Sequence, residues 1–94
     1  MKIEEILNSQ KGTVIDVRTR GEFSGGHVAG SINIPLTELP DNMEQFQSMQ
    51  SPLILCCASG MRSAQAEHYL NRAGLDCLNG GSWLEVNYLQ SKAS

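Results

Sequence analysis

"LILCCASGMRSAQAEHYLNRAG", residues 53–74, decides the reading of the whole chain. "LILCC" is continuously apolar and follows Pro52, the pattern of a β-strand buried on both faces. Further on, Ala66, Tyr69, Leu70 and Ala73 recur at helical spacing, and Gly74 supplies a C-terminal stop. Between strand and helix lies "CASGMR", residues 57–62. A strand that only fills a core needs no such ending, whereas a loop that holds a reactive anion does.

The loop has the parts of an anion cradle. Ala58, Ser59 and Gly60 are small enough for a tight curl, and Gly60 is free to take a left-handed conformation. Successive backbone N–H groups then point inward as a nest. The helix that starts at Met61 adds its N-terminal partial charge, and Arg62 adds a full one. All three favour thiolate over thiol at Cys57, which is therefore expected to be a low-pKa nucleophile. Side chains alternate across a strand, so Cys56 should point away from the cradle into packing. Cys77 lies in another short apolar segment and reads as core.

The rest of the chain alternates in the same way. "TVIDV" (13–17), "SINIP" (31–35) and "LDCLN" (75–79) read as further strands, with Gly80-Gly81 as a turn. Helices are expected in "MKIEEILNSQ" after a brief edge strand, in "PDNMEQFQSM" with Asp41 as its cap, and in "SWLEVNYLQ". "RTRGEFSGGHVAG" reads as a loop with one helical turn around Glu22. Apolar strands alternating with helices imply an α/β fold, a mostly parallel sheet of about five strands with helices on both faces. In such sheets ligands bind where the C-terminal strand ends meet the following loops, and "LILCC" delivers Cys57 there.

Composition narrows the class. The chain has 94 residues, fitting one domain over 1–94, and is 40% hydrophobic, too apolar for a disordered chain. A net charge of −3 gives no nucleic-acid or anionic-membrane surface. No apolar run reaches the length of a membrane span, and the N-terminal residues lack the pattern of a secretory signal. Three cysteines, two of them adjacent, are not a disulfide framework. The reading is a cytoplasmic protein whose thiols stay reduced. The His, Cys and carboxylate spacings form no metal site.

The ordered motifs resemble the rhodanese family of single-domain sulfurtransferases. "VIDVR" (14–18), "GEFSGGHVAGSINIP" (21–35), "CASGMR" and "GGSW" (80–83) are similar to its successive signatures. The resemblance implies that the Cys57 thiolate takes the outer sulfur of thiosulfate or a persulfide. It then passes that sulfur from a Cys57 persulfide to cyanide, a thiol or a sulfur-relay protein. It implies no metal and no organic cofactor. Ala58, Ser59, Gly60, Met61 and Arg62 would form the anion-binding loop. Arg62 would bind the sulfonate of thiosulfate or brace the loop, and Met61 would line the entrance.

Five residues outside the loop are expected to support it. Asp16 and Arg18 sit at a strand end, and an ion pair, Arg18 with Glu22, is expected to fix the surrounding loop. His27 is expected to brace backbone and Trp83 to pack over the cysteine loop, while His68 reads as surface. Two rivals remain. A sulfur carrier or redox sensor would use the same cysteine without fast turnover. A cysteine phosphatase or arsenate reductase would want five residues between Cys and Arg, and here there are four.

Overall fold

The structure, a computed structural model, describes residues 3–93. It runs α1 (Ile3–Asn8), β1 (Thr13–Asp16), α2 (Arg20–Ser24), β2 (Ile32–Asn33), a 3-10 helix (Leu36–Asn42), α3 (Met43–Gln47), β3 (Leu53–Cys57), α4 (Met61–Arg72), β4 (Cys77–Ser82) and α5 (Trp83–Ala93). The sheet is four-stranded in the order β2-β1-β3-β4, and every pairing is parallel. About five strands were expected. The edge strand ahead of α1 would fall on residues 1–2, outside the described residues.

The central strand β3 is buried along its whole length because both sheet faces are covered. Leu53, Leu55 and Cys57 face a core with Ile15, Val17, Leu39, Phe46, Ala66 and Leu70, on the side of the 3-10 helix, α3 and α4. Ile54 and Cys56 face the other core, with Ile6, Leu7, Val14, Val28 and Val86 on the side of α1 and α5. The adjacent cysteines thus lie in different cores, as strand alternation requires.

Three local expectations change. Tyr69, placed on the apolar stripe of α4, is 41% exposed, and Ser63 is buried with Ala66 and Leu70 instead. Asp41 does not cap α3: a 3-10 turn runs through Pro40 and Asp41, and Asn42 stands at the cap position without a side-chain hydrogen bond. Gly80-Gly81 does not turn the chain. Both glycines stay within β4, where the register slips: Leu55 pairs with Asn79 but Cys56 with Gly81. This bulge admits only glycine at 80, where a Cβ would lie 2.8 Å from Val86 Cγ2 and 3.0 Å from the Leu55 carbonyl oxygen.

Gly80→Ala should therefore destabilise the fold by about 2 kcal/mol through overpacking. Thermal unfolding would show it as a midpoint roughly 10 °C lower. An unchanged midpoint would mean that β3 and α5 yield freely at this contact.

Candidate active site

The C-terminal ends of β1 and β3 bring the predicted residues to one sheet edge. Cys57 is fully buried at the end of β3, and the loop after it curls back so that Gly60 N–H donates to Cys57 Sγ at 2.9 Å. Gly60 does this in a left-handed conformation, φ 98°, and opens α4. Ala58, Ser59 and Met61 lie exposed around it, Met61 at 73%.

Electrostatics separate the cysteines. Burial alone pushes the Cys57 thiol up. The Ser63 hydroxyl and the N–H groups of Ser63, Gly60 and Ser59 outweigh it, and the net displacement is downward. Burial pushes Cys56 up to about 12, with the Asp16 charge adding to it, and Cys77 up to about 11. One thiol of three is poised as a nucleophile.

One of the hydrogen-bonding groups on Cys57 belongs to a residue that sequence reading passed over. Ser63 is buried one turn into α4, its Oγ 3.5 Å from Cys57 Sγ and 2.6 Å from Asn79 Oδ1. The available signal was a polar residue on the stripe that Ala66 and Leu70 occupy. Asn79 was passed over as the last residue of a short strand.

The ion pairs differ from expectation. Arg18 pairs with Asp16, not Glu22: Nε lies 3.0 Å from both carboxylate oxygens and Nη2 2.7 Å from Oδ2. The pair is buried, and Asp16 also accepts the Arg18 N–H at 3.0 Å. Nη2 donates onward to the Gly26 carbonyl at 2.7 Å, so the pair pins the glycine-rich loop. Asn33 closes the corner by donating to the carbonyls of Asp16 and Arg18, each at 2.9 Å.

Glu22 is held by Arg62 instead. Arg62 Nη1 and Nη2 meet Oε1 and Oε2 at 2.7 and 3.0 Å, a bidentate fork. Glu22 also closes the capping box of α2 with Thr19. The Arg62 hydrogen bonds, seconded by Thr19, hold its carboxyl down at about 2, so the tether stays charged over the physiological range. "TRGE", residues 19–22, was the readable signal for the box.

The remaining predicted residues are supports. His27 donates from Nδ1 to the Phe23 carbonyl at 2.8 Å and stacks on the Phe23 ring, the bracing role expected. Trp83 was expected over the cysteine loop. Its ring instead packs with the α1/α5 core, with the Arg18 guanidinium 4.7 Å from its centroid and Gly26 against its edge. The bulge before Trp83 sends the chain to that face. His68 is exposed.

The chain belongs to the rhodanese family. The family model "Rhodanese-like domain" matches residues 2–83. YqhL of Bacillus subtilis, an uncharacterized protein, is 37% identical over 65 residues, 69% of this chain and 51% of YqhL. The chain thus spans about half the length of this curated relative. Thiosulfate sulfurtransferase 16, chloroplastic, of Arabidopsis thaliana is 37% identical over 94 residues, covering 84% of this chain and 78% of that protein. Among solved structures, a rhodanese-related protein from Thermoplasma volcanium superposes with a TM-score of 0.78 at 29% identity, covering 94% of this chain and 88% of that one. Among the described residues no helix is long and apolar enough to cross a membrane.

Alkylation by iodoacetamide across a pH series tests the ranking of thiols. Reactivity requires thiolate, which accumulates as pH rises through the thiol pKa. A lowered Cys57 pKa therefore moves the rise of its labelling below the ordinary cysteine midpoint of about 8.5. Cys56 and Cys77 should stay unlabelled in the folded protein. Labelling of Cys56 alongside Cys57, or a Cys57 midpoint above that value, would contradict the assignment.

Proposed function

We propose that this chain is a sulfurtransferase that carries sulfane sulfur on Cys57. The observation that carries the reading is the set of hydrogen atoms converging on one sulfur: Gly60 N–H at 2.9 Å, the Ser63 hydroxyl at 3.5 Å and the Ser59 and Ser63 N–H groups. They stabilise a negatively charged sulfur at this point, first as thiolate and then as persulfide.

In the first half-reaction the Cys57 thiolate attacks the outer sulfur of a donor. With thiosulfate, an S–S bond forms to Cys57, the S–S bond of the donor breaks, and sulfite leaves with the electron pair. With a persulfide donor, a thiolate leaves. In the second, cyanide or a thiolate attacks the outer sulfur and Cys57 departs as thiolate. Charge balances in both steps, no external oxidant is consumed, and ping-pong kinetics follow. The same converging hydrogens make Cys57 a competent leaving group.

Arg62 acts in this reading as a brace. Both of its terminal nitrogens are engaged by Glu22, which also caps α2, so the fork ties the start of α4 to α2. A bound sulfonate would find the Arg62 charge already paired and only the N–H groups outside the fork to bind. This favours persulfide donors, whose transferable sulfur requires no sulfonate contact.

Intact-mass measurement after incubation with thiosulfate or glutathione persulfide checks the carrier step. One sulfur should be gained by the wild type and by Cys56→Ser, lost on adding cyanide, and absent in Cys57→Ser. No gain from either donor, with Cys57 alkylatable, would move the reading to a redox-sensing role for the same loop. A second comparison checks the brace. Glu22→Gln and Arg62→Ala should lower kcat/KM by similar factors, roughly tenfold, for both donors. A rise in KM for thiosulfate confined to Arg62→Ala would make Arg62 a substrate ligand.

A further inference from the structure

We infer that Asn79 is the positioning residue of the Cys57 site: its side-chain amide anchors the loop whose Gly60 N–H aims at Cys57 Sγ, and holds the Ser63 hydrogen until the sulfur becomes anionic. The inference rests on Cys57 being the sulfur carrier.

Asn79 makes three side-chain hydrogen bonds, and each touches part of the sulfur's environment. Nδ2 donates to the Gly60 carbonyl at 3.1 Å, and Oδ1 accepts Gly81 N–H at 2.9 Å and the Ser63 hydroxyl at 2.6 Å. The Asn79 N–H is held in turn by Glu67 Oε2 at 2.9 Å. The two backbone partners fix which end of the amide is which, since Gly60 offers an acceptor and Gly81 a donor. The oxygen must therefore face Ser63.

That orientation settles the proton on Ser63. A serine hydroxyl has one hydrogen, and Asn79 Oδ1 can only accept. When Cys57 is a thiol, the Ser63 hydrogen lies on Asn79, and the thiol can donate to Ser63 Oγ. When Cys57 becomes thiolate or persulfide anion, the hydrogen turns to sulfur. Asn79 Oδ1 is not left unpaired by this turn, because Gly81 N–H still holds it. The oxygen is thus a parking place for the proton that costs little to vacate. The same amide, through Gly60, keeps the loop closed on the sulfur.

The position of Asn79 follows from the bulge. Asn79 pairs with Leu55 and so lies on the Cys57 side of the sheet, and across the slip at Gly80 the Gly81 N–H turns back to Asn79 Oδ1. Gly60 and Gly81 approach so closely that a Cβ on Gly60 would lie 3.2 Å from Gly81 Cα.

The test is the pH profile of Cys57 alkylation in Asn79→Ala and Asn79→Asp, with circular dichroism confirming that each is folded. Arg62 and Glu67 on α4, Asp16 and Arg18 at the end of β1, Cys56 on β3 and Glu22 on α2 are the neighbouring titratable or charged groups. They are the same in every variant. The midpoint should rise in Asn79→Ala, where the loop loses its anchor on the Gly60 carbonyl, and rise further in Asn79→Asp, by about one unit or more. The carboxylate adds charge and holds the Ser63 hydrogen away from sulfur more firmly than the amide does. In a Ser63→Ala background the excess of Asn79→Asp over Asn79→Ala should shrink, since part of it runs through the hydroxyl. An Asn79→Ala profile that overlays the wild type, or an undiminished Asn79→Asp excess without Ser63, would overturn the assignment. Should Asn79→Ala not fold, Asn79→Ser, whose hydroxyl is too short to bridge Gly60 and Ser63 together, replaces it with the same expected rise. Alkylation needs only the thiol, so this outcome is independent of whether Cys57 gains sulfur in the mass measurement.

Discussion

The structure depends on one constraint: β3 is a parallel strand buried on both faces, so its two adjacent cysteines cannot share an environment. Residues at odd positions along Leu53–Cys57 enter one core and those at even positions enter the other. Cys56 is lodged under α1 and α5, where burial and the Asp16 charge keep it a thiol. Cys57 emerges on the α4 side at the sheet's C-terminal edge, where backbone N–H groups converge. A difference of one residue in sequence becomes a large difference in acidity. No special chemistry of either cysteine is needed, only the period of two along the strand.

Both arginines of the site are paired, and this shapes what it can hold. Arg18 is used by Asp16 and Arg62 by Glu22, while the Glu67 carboxylate accepts the Asn79 N–H. The buried Asp16–Arg18 pair secures the Gly26 loop, and the more exposed Glu22–Arg62 pair secures the start of α4. With both cations paired, the stabilisation of a Cys57 anion falls mainly to short-range hydrogen bonds. These discriminate by geometry and fall away within one bond length. A cradle of this kind suits a single anionic sulfur at a fixed point better than a large oxyanion that needs charge from several sides.

Much of this was legible in sequence because it is contiguous. The strand, the loop from Cys57 to Arg62 and the helix follow one another, so periodicity and residue size suffice to place Cys57 and Gly60. The ion pairs were not legible. Asp16, Arg18, Glu22 and Arg62 permit two sets of opposite-charge pairs, and the choice depends on Glu22 meeting Arg62 across 40 positions of sequence. Trp83 went astray for a related reason, since the bulge ahead of it decides which face of the sheet it meets. Ser63 and Asn79 carried weak signals because single polar residues are common everywhere. Only the fold brings the two together across 16 positions of sequence.

The bulge itself shows how a local irregularity becomes a functional device. The slip lies between Asn79 and Gly81. Across it the Gly81 N–H meets Asn79 Oδ1 and Gly81 comes against Gly60, so the strand end and the loop become one hydrogen-bonded unit. Gly80 is required by the packing beneath it, and Gly81 by its left-handed backbone, φ 84°. The glycine pair that reads as a turn in sequence is thus the means by which β4 reaches the cysteine loop. A turn at that place would end the strand before Asn79 could serve it.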